Sequence, residues 1–197
     1  MIAIVDYGMG NLYSVEAGLR RAGASSKMVQ TAADIDSADK VVFPGDGHFL
    51  ACMNALNKRG LRDAVLRAAA KKPFFGICVG MQVLYESSEE APDTPGLAVL
   101  PGHIRHLPEV AGKIPHMGWN TVQHTRAHPM LNGVPENSRF YFIHSYYAEP
   151  NACTIGIAEY STAMTAIAEH CNVWATQFHP EKSGRWGAQL LKNFVAA

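Results

Sequence analysis

The sequence lacks an excess of charge of either sign. Its 197 residues include 17 Lys plus Arg and 17 Asp plus Glu, so the formal net charge is zero. Nucleic acid and anionic membranes are therefore not expected as main partners, because both favour a basic surplus. The hydrophobic content of 48% also excludes the polar, highly charged composition of disordered proteins.

Long hydrophobic runs and closely paired cysteines are absent as well. The most apolar stretch runs only from Pro73 to Tyr85 and contains Gln82, whereas a membrane span needs roughly 20 residues. None of the four cysteines stands in C-x-x-C spacing. The first six residues have no basic character and predict a strand rather than a signal peptide. Together these features predict a cytoplasmic protein with reduced thiols.

Strand and helix signals alternate along the first half of the chain, and the length predicts one domain over residues 1–197. Apolar strands are predicted at 1–6, 40–43 and 74–77. Helical patterns are predicted at 11–23, 48–59, 61–71 and 79–86, before a loop at 87–95. This order is typical of an α/β fold, with a central, mostly parallel sheet and helices on both faces.

The second half of the chain has a different pattern. Between residues 102 and 178 the segments are short, alternating and rich in β-branched or aromatic residues. They predict an antiparallel extension of the sheet. A final helix is predicted at 183–195, with Ser183 as its cap.

The most specific local motif is the segment from Gly76 to Gly80, which reads G-I-C-V-G. A cysteine between two glycines, after a strand and before a helix, is typical of a nucleophile elbow. The positive end of the helix favours the thiolate of Cys78. The alternative is a buried structural cysteine, which is common for free thiols.

A cysteine nucleophile needs a base and a group that orients the base. The segment from Gln177 to Glu181 follows an apolar strand and reads Q-F-H-P-E. It places His179 at a strand end, where α/β sites gather, with Glu181 close enough to hold the imidazole.

The loop Pro44-Gly45-Asp46-Gly47 also ends a strand and precedes a helix. Its backbone N–H groups are candidate oxyanion donors, with an ordinary turn as the alternative. It lacks the Lys-Ser/Thr of a phosphate-binding loop, which argues against nucleotide binding. The histidine pairs at 103/106 and 124/128 have no Cys or carboxylate ligands in step, so neither a metal nor a cofactor is predicted.

Taken together, these segments resemble the class I (triad) glutamine amidotransferases, whose pattern is a P-G-x-G loop, then G-x-C-x-G-x-Q, then H-P-E. The resemblance covers nearly the whole chain and implies the flavodoxin-like fold of that family. It also implies hydrolysis of L-glutamine to glutamate and ammonia. Cys78 would be the nucleophile, His179 the base and Glu181 the group that orients the base.

The same resemblance implies the remaining site residues. An oxyanion hole would be formed by the N–H of Val79 and one N–H from Gly45, Asp46 or Gly47. Asp46 departs from the family, which usually has a small apolar residue there, and its side chain is expected to point away from the oxyanion. The substrate-binding residues would be Gln82, Glu90, His144, Ser145 and Tyr146.

Three further stretches, at 115–120, 141–146 and 177–183, resemble one branch of the family, the glutaminase subunits of imidazole glycerol phosphate synthases. That resemblance implies a (β/α)8-barrel cyclase partner in histidine biosynthesis, which receives the ammonia. The implied interface residues are Met117, Trp119, Asn120, Tyr141 and Lys182. Three alternatives stay open: the glutaminase subunit of another pathway, a stand-alone thiol hydrolase of the same fold, and a catalytically silent binding subunit.

Overall fold

A nine-stranded and a three-stranded sheet form the β structure of this computed structural model, which describes residues 1–109 and 113–197. The strands are β1 (Ile2–Val5), β2 (Ser26–Val29), β3 (Lys40–Gly45), β4 (Phe74–Cys78), β5 (Ser87–Ser88), β6 (His103–His106), β7 (His116–His124), β8 (Ser138–His144), β9 (Tyr146–Ala148), β10 (Thr154–Tyr160), β11 (Thr162–His170) and β12 (Val173–Thr176). The large sheet has the order β2-β1-β3-β4-β12-β11-β10-β7-β8, and the small sheet has the order β5-β6-β9.

The large sheet has a parallel part and an antiparallel part. Strands β2, β1, β3, β4 and β12 pair in parallel. Strands β11, β10, β7 and β8 continue the sheet with antiparallel pairing. Every residue of β1, β4 and β12 is buried, which is typical of parallel strands covered on both faces. The predicted α/β fold with an antiparallel extension in the C-terminal half is confirmed.

The helices connect the parallel strands and close the chain. They are α1 (Leu12–Arg21), α2 (Ala32–Ser37), α3 (Phe49–Lys58), α4 (Arg62–Lys71), α5 (Val79–Gln82) and α6 (Gly184–Ala196), with 3₁₀ turns at Pro129–Leu131 and Pro180–Lys182. Helix α1 packs against α6, and α2 packs against α4. Across the described residues, no helix is long and apolar enough to cross a bilayer.

Two segments differ from the sequence predictions. The helix predicted at 79–86 ends at Gln82, because N–H groups of residues 96–100 donate to the carbonyls of residues 83–86. The loop predicted at 87–95 contains β5, which pairs in parallel with β6. Both differences arise from contacts with a distant part of the chain, so local periodicity does not report them.

The parallel register brings three chain reversals to one edge of the large sheet. Gly45 lies beside Cys78 in the register of β3 and β4, and Thr176 lies beside Ile77 in the register of β12 and β4. Residues that follow the carboxyl ends of neighbouring parallel strands meet at the same edge, where α/β sites form. The loop at 44–47, the turn at Cys78 and the 179–181 segment therefore share this edge.

Candidate active site

Cys78 has an unusual backbone conformation at the turn between β4 and α5. Its φ of 55° and ψ of −116° are rare for a non-glycine residue, and such strain persists only where the surroundings enforce it. Glycines allow the enforcing contacts. A Cβ on Gly80 would lie 2.0 Å from the Phe43 carbonyl oxygen, and a Cβ on Gly45 would lie 2.3 Å from the Gly80 nitrogen. The turn therefore has the geometry of a nucleophile elbow with Cys78 at its apex.

His179 follows β12 and pairs with Glu181. The His179 Nδ1 lies 2.7 Å from Glu181 Oε1, and the two side chains are only 5% and 1% exposed. The backbone of His179 is also held, because its N–H donates to the Tyr141 carbonyl and its carbonyl accepts from Ser183 Oγ. The Ser183 hydroxyl therefore donates to the His179 carbonyl and accepts from the Tyr141 N–H. Ser183 is the N-cap residue of α6, as predicted, but its hydroxyl makes no capping bond to the helix.

The surroundings of His179 favour its protonated form. Burial lowers the pKa of this imidazole, but hydrogen bonding and charge from Cys78 and Glu181 outweigh burial and raise the pKa of His179 to about 10. Because Glu181 accepts the Nδ1 proton, Nε2 is the nitrogen available to the Cys78 thiol. That Nε2 is buried and has no hydrogen-bond partner among residues 1–109 and 113–197, while Cys78 Sγ donates to the Ile143 carbonyl at 3.9 Å. The three side chains can therefore act as nucleophile, base and orienting carboxylate.

A cleft of about 190 Å³ opens beside Cys78. Its lining includes most of the predicted oxyanion and substrate residues, namely Asp46, Gly47, Cys78, Val79, Gln82, Glu90, His144, Ser145 and Tyr146. Gly45 packs against Gly80 rather than lining the cleft. Pro115 and Ile143 also line it and were not predicted. Each lies inside a segment that carries the family resemblance, which is the signal that could have found them.

The backbone of the 44–47 loop is held by buried donors from two other elements. Tyr7 Oη donates to the Pro44 carbonyl at 2.9 Å, and Cys52 Sγ donates to the Asp46 carbonyl at 3.4 Å. Burial raises the pKa of the Tyr7 hydroxyl well above its usual value, and raises that of the Cys52 thiol to about 11. Both groups therefore keep their protons at neutral pH. Neither donor was predicted as part of the site.

The Asp46 side chain bonds within its own loop. Its Oδ1 accepts from the Gly47 N–H at 2.9 Å. This contact occupies the Gly47 N–H, which is one of the predicted oxyanion donors. The departure from the family at Asp46 thus has a direct structural consequence in the loop.

The predicted substrate residues also bond to one another and to the fold. Gln82 Nε2 donates to the Tyr146 carbonyl at 3.0 Å and to Gln177 Oε1 at 3.1 Å. Glu90 Oε2 accepts from the Phe49 N–H at the start of α3, at 2.7 Å. The Gln82 amide nitrogen is therefore used inside the protein, whereas Glu90 lines the cleft with its Oε1 only 3.9 Å from His48 Nε2.

The predicted interface residues lie on or near the surface beside the cleft. Met117 and Trp119 are 59% and 48% exposed, and Lys182 is exposed. Tyr141 lies across the strand pair from Trp119, with ring centroids 6.1 Å apart and an interplanar angle of 72°. Asn120 is half-buried and donates to the Glu159 carbonyl. Met117 and Trp119 lie on the same exposed face of β7, and apolar side chains grouped on one face suggest a contact region, whereas single exposed ones do not.

The amino-acid sequence of the chain matches a known protein family. The family model described as "Glutamine amidotransferase class-I" matches residues 3–197. The chain belongs to the class I glutamine amidotransferases. Its elbow cysteine, its His–Glu pair and the cleft beside them are features of a class I amidotransferase with an intact set of candidate catalytic side chains.

Several curated proteins are similar to the chain over nearly its full length. A protein of Dechloromonas aromatica is 47% identical over 206 residues, which cover 98% of this chain and 95% of the relative. A protein of Aromatoleum aromaticum is 45% identical over 207 residues, which cover 99% and 97%. Both are named "Imidazole glycerol phosphate synthase subunit HisH".

Two solved structures have the same fold as the chain. One, described as a crystal structure of glutamine amidotransferase, has a TM-score of 0.77 at 18% identity and covers 100% of this chain and 98% of its own. The structure of PurLQS from Thermotoga maritima has a TM-score of 0.76 at 17% identity and covers 99% and 97%. At such identities the likeness bears on the fold alone.

Proposed function

We propose that the chain is the glutaminase subunit of imidazole glycerol phosphate synthase, which hydrolyses L-glutamine and supplies ammonia for histidine biosynthesis. The observation that carries the proposal is the buried His179–Glu181 pair beside an elbow cysteine that lines a cleft. The name of the full-length relatives favours this pathway over those of other glutaminases.

In the proposed reaction, the Cys78 sulfur attacks the side-chain amide carbon of glutamine and a tetrahedral intermediate forms. His179 holds the proton of the thiol and delivers it to the leaving nitrogen, so the C–N bond breaks and ammonia departs. Water then attacks the thioester, with His179 as base, and releases glutamate and the thiol. Glu181 accepts the proton of His179 Nδ1 and thereby holds the imidazole in the tautomer that turns Nε2 towards the thiol.

The oxyanion of the intermediate needs two preorganised donors. Val79 is the first residue of α5, where N–H groups have no partner inside the helix. We propose its N–H as one donor. The second would come from the 44–47 loop after its peptide planes rotate, since the Gly47 N–H is now bonded to Asp46. Losing one such donor typically costs about 2.7–4 kcal/mol.

The cleft suits the amino-acid end of glutamine. Glu90 offers a carboxylate to the α-ammonium group, and its charge complements that group. The Ser145–Tyr146 wall and Gln82 line the same cleft. We propose that these residues, with His144, bind glutamine so that its amide reaches Cys78.

The proposed partner is a (β/α)8-barrel cyclase, which would join ammonia to its ribotide substrate. The exposed Met117 and Trp119 support a docking face there, together with Asn120, Tyr141 and Lys182. We further propose that residues 1–197 work as one domain, since the large sheet runs through both halves of the chain. The four free cysteines are consistent with a cytoplasmic protein.

A glutaminase assay with and without the barrel subunit and its ribotide ligand tests the proposal. Cys78→Ser is expected to abolish glutamine hydrolysis in the complex, while synthesis from added ammonia continues. Cys171→Ser is the matched control, because Cys171 is a free but exposed thiol. Retained glutaminase activity in Cys78→Ser would refute the nucleophile. Failure of the wild-type chain to support synthesis from glutamine with the barrel would refute the pathway.

A further inference from the structure

Two buried histidines face each other beside the cleft. His116 begins β7, His144 ends β8, and the antiparallel register places them directly opposite one another. The two residues are 3% and 6% exposed. His116 Nδ1 lies 2.9 Å from His144 Nε2, so one of these nitrogens carries a proton and the other accepts it.

The second partner of His144 decides which nitrogen donates. His144 Nδ1 lies 2.9 Å from the carbonyl oxygen of Tyr146, which can only accept, so the His144 proton is on Nδ1. Burial lowers the pKa of His144 to about 3, and the ring therefore holds no second proton at neutral pH. Its Nε2 must accept, and His116 Nδ1 must donate.

The far side of His116 fits this assignment. Burial also lowers the pKa of His116, to about 4, so its Nε2 is unprotonated at neutral pH. Asn120 Nδ2 lies 3.4 Å from that nitrogen and donates to the Glu159 carbonyl at 2.9 Å. The His116 ring stacks on Tyr160 with centroids 4.0 Å apart, which fixes the plane of the ring. The donor on Nδ1 therefore has a fixed direction.

The chain of hydrogen bonds ends at the wall of the cleft. The Tyr146 carbonyl accepts from His144 Nδ1 and from Gln82 Nε2, so both of its lone pairs are used. Gln82 belongs to α5, the helix that begins directly after Cys78. The spacing between the Ser145–Tyr146 wall and the elbow thus depends on bonds that start at His116.

We propose that His116 is a positioning residue for the glutamine cleft, which holds the Ser145–Tyr146 wall in place through its hydrogen bond to His144. The proposal rests on the proposed function, because it takes glutamine as the substrate. His116 is absent from the cleft lining, so it acts on the substrate only through His144. Its loss should weaken substrate binding more than it slows the chemical step.

Two substitutions at His116 separate the hydrogen bond from the packing. His116→Phe keeps a ring to stack on Tyr160 but removes the donor, which leaves His144 Nε2 buried without a partner. His116→Asn places an amide N–H close to the position of Nδ1. In the complex with the barrel, we expect His116→Phe to raise the KM for glutamine about tenfold, the scale of one unpaired buried acceptor, and to change kcat less than threefold. His116→Asn is expected to recover most of the lost affinity.

His124→Phe is the matched control, because it makes the same change at the other end of β7, outside the cleft lining. The proposal is overturned if His116→Phe raises KM no more than His124→Phe does, or if His116→Asn behaves like His116→Phe.

The tautomer of His144 can be measured in the wild-type protein, so this test needs neither substrate nor a variant that must fold. Nitrogen-15 NMR of the labelled wild-type protein is expected to show His144 with its proton on Nδ1. A wild-type His144 protonated on Nε2 alone would overturn the proposal. If the wild-type complex fails to hydrolyse glutamine while His144 shows the expected tautomer, it is the proposed function that fails and not the hydrogen-bond assignment.

Discussion

Replacing Glu181 with glutamine tests the buried His179–Glu181 pair with little steric change. Glutamine has nearly the shape of glutamate, and its amide oxygen can still accept from His179 Nδ1. The second carboxylate oxygen of Glu181 has no hydrogen-bond partner among the described residues, so the new amide nitrogen displaces no bond. The substitution therefore removes the charge and leaves the rest of the pair in place.

The expected cost follows from burial. Deleting one partner of a buried ion pair costs about 3–5 kcal/mol, whereas keeping a neutral hydrogen bond recovers about 0.5–1.5 kcal/mol. The remaining free-energy cost destabilises the protonated form of His179, which the reaction needs. We expect kcat to fall about 100-fold, which corresponds to about 2.7 kcal/mol. The KM should change little, because neither Glu181 nor His179 lines the cleft.

The same substitution should lower the pKa of His179, since Glu181 is one of the two groups that raise it. A histidine whose folded pKa exceeds its unfolded value of about 6.5 stabilises the fold fully below pH 6.5. That contribution disappears as the pH rises through about 10. In Glu181→Gln the free energy of unfolding should decline over a narrower pH range. Denaturant unfolding from pH 6 to 10 measures this range.

Glu136→Gln is the control, because Glu136 pairs with His124 at 3.0 Å on a more exposed part of the surface. It should leave glutamine hydrolysis unchanged. The assay measures kcat and KM by glutaminase kinetics in the complex. A histidine NMR titration gives the pKa of His179, and melting curves give the stability. The reasoning is refuted if Glu181→Gln keeps kcat within twofold of wild type, or if the loss appears in KM alone.

Three further predictions concern other parts of the molecule. Gly80→Ala should reduce glutaminase activity at least 100-fold, because the new Cβ would lie 2.0 Å from the Phe43 carbonyl oxygen. A displacement of about 1 Å at a reacting group can reduce a rate that much. An active variant of normal stability would contradict this prediction. Trp119→Ala should weaken binding to the barrel by about 2 kcal/mol in calorimetry, with an unchanged melting temperature of the free subunit. Burial lowers the pKa of His116 to about 4 and that of His144 to about 3. The two neutral rings therefore contribute to stability above pH 6.5, and this contribution should be lost as the pH falls towards those pKa values. Urea unfolding from pH 7 to 4 measures the change in the free energy of unfolding.

The parallel half of the fold could be predicted because its signals are local. Apolar strands that end in glycine-rich or catalytic residues predict both the strands and the edge of the sheet at which Cys78 and His179 meet. Strand β2 and helix α2 were missed, since both are short and only partly buried. The small sheet was missed because β5 has two residues and depends on pairing with β6.

The cleft residues were easier to predict than the bonds between them. Sequence motifs indicate Gln82 and His144 as site residues, but they carry no information on a hydrogen bond between Gln82 and Gln177, which are 95 residues apart. The same holds for Cys52, whose thiol bonds to the Asp46 carbonyl and whose surrounding sequence resembles ordinary helix packing. Such contacts depend on the distance between elements, which only the folded chain defines.

Strand β7 has its two proposed tasks, cleft support and docking of the barrel, on opposite faces. Inward-facing and outward-facing residues alternate along the strand. His116 and Val122 face inward, while Met117 and Trp119 face outward. An engineer could therefore redesign the outward positions to recognise a different barrel and leave the inward positions untouched. A single-residue insertion in β7 would exchange the two faces, so substitutions rather than insertions are the route to a glutaminase with a new partner.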